Sequence, residues 1–158
     1  MTQIPLFQSP SEWLPPERIP ELREAKEIAI DLETCDPGLK TMGPGWATGN
    51  GYIAGVSIAI EGWKGYFPLR HEGGGNFDEK FFKQALKKIL ELPCDKIFHN
   101  ASYDVGWLRR WGIKVKGRII DTMIAAPLID ENRRRYSLNE LGKDYLHETK
   151  SEGLLYEA

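Results

Sequence analysis

Apolar and polar positions along the chain divide it into segments of different period. Residues 25–33 read as a first strand, in which Ile28, Ala29 and Ile30 run into Asp31 and Glu33. Residues 52–60, YIAGVSIAI, predict a second strand with Ile53, Val56, Ile58 and Ile60 toward the core. GYFPL at 65–69 predicts a third, joined to the second by a tight turn as a hairpin. Residues 77–92, FDEKFFKQALKKILEL, place apolar side chains at 81, 82, 85, 86, 89 and 90, a helical spacing, with Pro93 just past the end. KIFHN at 96–100 predicts a short buried strand. Residues 101–111 predict a helix that turns Val105, Leu108 and Trp111 inward and is stopped by Gly112. A short strand over 116–121 and a helix over 122–130, kinked at Pro127, follow. A last helix opens at Ser137, with Glu140 completing a capping-box spacing. Residues 36–51, 71–76 and 131–135 read as loops.

This order predicts an α/β fold: a mixed sheet that begins as an antiparallel meander and continues with parallel strands joined by helical crossovers. Residues 1–24, with five of the ten prolines, read as an extended lead-in tacked down by Trp13 and Leu14. Residues 25–158 form one domain, since 158 residues suffice for one core and not for two. No apolar run approaches the roughly 20 residues of a membrane span. The N-terminus lacks a signal-peptide pattern. Cys35 and Cys94 fit no metal spacing and read as reduced thiols of a cytoplasmic protein. Net charge is −2, yet residues 101–145 hold 9 Lys/Arg against 6 Asp/Glu, a weakly basic stretch able to track phosphates or simply to face solvent.

Chemistry concentrates at the predicted strand ends, where open α/β sheets place their sites. Asp31 and Glu33 lie two apart on one strand, so they share a face about 7 Å apart along the backbone. Two carboxylates held there repel, and a hard cation such as Mg²⁺ or Mn²⁺ relieves the repulsion. The plainer alternative is the polar end of a strand. Asn100 is placed to cap the next helix, and Asp104, one turn on, brings a third carboxylate toward the same strand ends. Its plainer alternative is a first-turn acid favoured by the helix dipole. Asp121 reads as the N-cap of the helix from Thr122.

AIDLET, followed by HNASYDVGWL and then by DTMIAAPLID and YSLNELGKDYL, resembles the 3′–5′ proofreading exonuclease domain of family A DNA polymerases, above all in bacteriophage versions. The resemblance implies an RNase H-like fold of the wider DEDD exonuclease superfamily. It implies metal ligation and catalysis by Asp31, Glu33 and Asp104. Thr34, Asn100 and Tyr103 would lie against the 3′-terminal nucleotides of single-stranded DNA. Arg133, Arg134 and Arg135 either touch phosphates or form a solvated loop. Two Mg²⁺ or Mn²⁺ ions about 4 Å apart would flank the last phosphodiester. Asp31 would bridge them, Glu33 would hold the nucleophile-side ion, and Asp104 the leaving-group-side ion. The product would be a 5′-mononucleotide. A polymerase domain or subunit is the implied partner, and the cytoplasm of a phage-infected bacterium the implied setting.

One part of the family pattern is missing. Its third motif, Tyr-x-x-x-Asp, supplies a tyrosine and a fourth carboxylate, and no tyrosine of these 158 residues is followed by aspartate four positions on. The expectation is a fragment of a longer polymerase, with a split gene or a free-standing relative as alternatives, and a chain that alone is a poor or inactive exonuclease. A degenerate fold that grips single strands or a polymerase without cutting, and an RNase D-type RNA exonuclease, are the alternative functions.

Overall fold

The computed structural model describes residues 16–148. Five strands form one sheet: β1 (Glu27–Cys35), β2 (Tyr52–Ile60), β3 (Trp63–Pro68), β4 (Asp95–Phe98) and β5 (Ile119–Asp121). Their order is β3-β2-β1-β4-β5, antiparallel across β3-β2-β1 and parallel across β1-β4-β5. This is the predicted mixed sheet. The helices are α1 (Leu39–Met42), α2 (Gly45–Thr48), α3 (Glu79–Leu90), α4 (Ala101–Arg110), α5 (Thr122–Ile129) and α6 (Leu138–Leu146).

The two faces of the sheet differ. Ile28, Ile30 and Leu32 of β1 are buried, as are Val56 and Ile58 opposite them on β2. They meet Phe82, Leu86, Ile89 and Leu90 of α3 and Trp107 and Leu108 of α4. Phe67 ties β3 to α3, its ring 4.9 Å from that of Phe82. The alternate positions, Ala29, Asp31 and Glu33, are half-buried on the other face. There a cleft of about 530 Å³ opens between the sheet and Thr122 and Leu138.

Lys96 is fully buried in this core. A buried ammonium must donate all its protons, and it does, to the carbonyls of Leu92 (2.7 Å), Cys94 (2.8 Å) and Lys116 (2.9 Å). It thereby fastens the loop after α3 to the segment entering β5.

Several expectations are corrected. The 36–51 segment is not all loop; it contains α1 and α2. Four-residue helices leave no periodicity to read. Arg110 donates to the carbonyls of Gly45 and Gly49 and so holds α2 against α4. Phe81 is exposed rather than inward, because the adjacent Phe82 takes the core-facing position. On α4, Trp107 and Leu108 point inward, whereas Val105 and Trp111 are only partly buried. Ile60 is also only partly buried. The lead-in contributes Leu22 to the core; Trp13 and Leu14 lie outside the described residues.

Candidate active site

Asp31 and Glu33 face the cleft side of β1, as their spacing requires. Asp31 pairs with Ser57 and Glu33 with Gly55 across β1-β2. Immediately beyond Glu33 the register shifts: Thr34 pairs with Ile53, and Ala54 is left as the extra residue of a bulge. The freed Ala54 carbonyl accepts the N–H groups of Leu69 and Arg70.

Asp104 enters from the first turns of α4 and is almost completely buried, at 3% exposure. Its carboxyl is pushed up to about 8 by burial first, then by the charge of Asp31, with Asp121 and Glu33 adding; a backbone hydrogen bond from Leu32 opposes the rise. The three carboxyls are thus near enough to repel one another. Among the described residues, however, no group of three His, Cys, Asp or Glu side chains is drawn close enough to hold one ion. Like charges without a counter-charge keep apart. The donor set suits Mg²⁺ or Mn²⁺ in chemistry, being all carboxylate oxygen with excess negative charge.

Asn100 does not cap α4 with its side chain. It sits in the left-handed region at φ 71°, and its Oδ1 accepts from Ser102 instead. The cap is Asp121. Its carboxylate accepts the N–H groups of Asn100 (3.0 Å) and Ala101 (2.8 Å), and that of Met123 (2.9 Å) at the start of α5. Asp121 is therefore an N-cap as expected, but of two helices at once.

Tyr103 and Thr34 come together. The Tyr103 hydroxyl donates to Asp36 Oδ2 at 2.9 Å, so the 2.8 Å contact with Thr34 is a bond donated by Thr34. Asp36 Oδ2 also accepts the N–H of Gly45 at 2.9 Å, the first residue of α2, while its Oδ1 is buried with no hydrogen-bond partner. Burial, joined by the bond and charge of Asp36 and opposed by the contacts with Thr34 and Trp107, raises the Tyr103 hydroxyl above its ordinary range. Sequence reasoning missed Asp36; its one signal was a third acid close behind Asp31 and Glu33.

The three arginines are not equivalent. Arg133 is ion-paired to Asp144 and lies over the Tyr145 ring, which ties the loop to α6. Arg134 and Arg135 are exposed.

A family model described as 3′–5′ exonuclease matches residues 12–154. A DNA-directed DNA polymerase of Pseudomonas phage M6 is 38% identical over 161 residues, which cover 97% of this chain and 24% of that protein. DNA polymerase I of Pseudomonas aeruginosa is 31% identical over 133 residues, 80% of this chain and 14% of the relative. The chain thus spans a quarter or less of these relatives. Among solved structures, Brucella melitensis NrnC with bound Mg²⁺ matches with TM-score 0.59 at 21% identity, over 84% of this chain and 60% of that one. Escherichia coli RNase D, an exoribonuclease involved in structured RNA processing, matches with TM-score 0.58 at 20% identity, over 83% and 30%. These two share the RNase H-like fold.

Proposed function

Because the chain belongs to the 3′–5′ exonuclease domains of family A DNA polymerases, we propose that Asp31, Glu33 and Asp104 form its catalytic, metal-holding set, acting on the 3′ end of single-stranded DNA. The observation that carries this reading is Asp104: a carboxyl buried to 3% exposure beside two others is costly to ionise unless a cation balances it. Bound there, Mg²⁺ or Mn²⁺ would supply an acidified water and would offset the charge that gathers on the phosphate. Asp31 and Glu33 would hold the ions from the sheet, and Asp104 from α4. Thr34 and Tyr103 form a rigid wall, fixed by Asp36, against which a terminal nucleotide can rest. Asn100 lies at the same helix start. Arg134 and Arg135 are available to phosphates, whereas Arg133 would first have to leave Asp144.

A polymerase domain, in the same polypeptide or another, is the proposed partner, and the phage relative favours the cytoplasm of an infected bacterium. Among the described residues no helix is long and apolar enough to cross a membrane. RNase D-type action on RNA is supported by fold alone. With no Tyr-x-x-x-Asp in these 158 residues, the chain by itself should cut slowly.

The test is degradation of a 5′-labelled single-stranded DNA in Mn²⁺. Slow, stepwise loss of 5′-mononucleotides from the 3′ end, abolished by Asp31→Ala, is expected. Internal cuts, or stepwise cutting that Asp31→Ala leaves intact, would overturn the proposal.

A further inference from the structure

Tyr66 lies on the same sheet face as the acid pair. The register places Asp31, Ser57 and Tyr66 in one row across β1, β2 and β3, and Glu33, Gly55 and Pro68 in the next. The Tyr66 side chain leans from its own row into the Glu33 row. A Cβ added at Gly55, the residue opposite Glu33, would lie 2.0 Å from the Tyr66 hydroxyl oxygen. Only glycine at 55 leaves room for that hydroxyl beside Glu33.

The hydroxyl has a second partner. Tyr66 Oη and His71 Nε2 are 2.6 Å apart, with the two rings edge to face. His71 is itself fixed: its N–H donates to Asn76 Oδ1 at 2.7 Å, and its carbonyl accepts from Asn76 Nδ2 at 2.8 Å. When Nε2 carries the imidazole proton, His71 donates to the phenol oxygen. The phenol proton is then free for another acceptor, and the acid pair lies on the same sheet face.

We propose that Tyr66, held by His71, is a positioning residue of this site: its hydroxyl is the donor that orients the Glu33 carboxylate. The inference rests on the reading of Asp31 and Glu33 as the acid pair of the exonuclease site. It adds two residues, from β3 and the loop after it, to a site otherwise built from β1 and α4.

The experiment reads the Glu33 carboxyl by ¹³C NMR without metal, its resonance assigned with Glu33→Gln. It compares the natural chain with Tyr66→Phe, His71→Ala and His71→Gln, with circular dichroism to show that each folds. Mn²⁺ uptake is followed on the same samples by electron paramagnetic resonance. Tyr66→Phe and His71→Ala should both move the Glu33 resonance and weaken Mn²⁺ uptake by about 10-fold, as loss of an outer partner of a ligand does. His71→Gln, whose amide can still reach the hydroxyl, should restore most of both. A Glu33 resonance unmoved by Tyr66→Phe overturns the proposal. If that variant does not fold, an unmoved resonance in His71→Ala does so. A resonance that moves in a chain that takes up no Mn²⁺ upholds the pair and fails the metal reading instead.

Discussion

The Asp121 carboxylate accepts the backbone N–H of Ala101 at 2.8 Å, joining the end of β5 to the start of α4. Through that bond and its neighbours, one side chain sets where the helix bearing Tyr103 and Asp104 begins. Asp121→Ala removes the cap of two helices, each worth about 0.5–2 kcal/mol. A loss of about 2–3 kcal/mol in urea unfolding is expected, with Asp121→Asn losing less because its amide keeps one acceptor oxygen.

Asp104 makes stability depend on pH in a defined direction. Its folded pKa, about 8, lies above the ordinary carboxylate value of 3.8, so the neutral form is favoured by folding. The contribution is fully present below pH 4 and is lost as pH rises through 8. The full span is worth on the order of 5 kcal/mol. Thermal melts without divalent metal should fall between pH 5 and 8, and Asp104→Asn should flatten that slope. Saturating Mn²⁺ should reverse it, since a cation favours the ionised carboxylate.

The Tyr103 hydroxyl links Thr34 to Asp36. Tyr103→Phe takes from Asp36 a donor while its Oδ1 already lacks a partner. A stability loss of about 1–3 kcal/mol is expected from chemical denaturation. Affinity for a short single-stranded DNA, measured by fluorescence anisotropy, should fall as the wall beside the terminal nucleotide loosens.

Lys96→Met keeps the length and removes the ammonium. Three carbonyls then lose their donor, and about 1–3 kcal/mol of stability should go with it. Equilibrium unfolding measures this, and Lys96→Arg should rescue little, because a planar fork does not match three carbonyls arranged about a point.

Much of this site was legible because strands obey a two-residue period. The alternation through Ile28, Ile30 and Leu32 fixes Asp31 and Glu33 to the opposite face without any tertiary knowledge. Asp104 was legible from helical spacing after a short strand. What escaped depends on contacts distant in sequence. Tyr103 meets Asp36 across 67 residues, and Asp121 reaches Ala101 across 20. Asn100 has the composition of a cap, but its left-handed backbone and the nearby Asp121 hand that role to another chain segment. Tyr66 stands beside Glu33 only through strand register and a glycine gap. Phe81 and Phe82 are adjacent in the helical pattern, and only packing against Phe67 decides which one turns inward.

The most direct measurement is anomalous X-ray scattering from crystals of the chain grown with Mn²⁺ and a short single-stranded DNA. Mn²⁺ is expected against the carboxylates of Asp31, Glu33 and Asp104, with the DNA 3′ end beside Tyr103. Manganese absent from those three carboxylates at saturating concentration, or held there without Asp104, would contradict it.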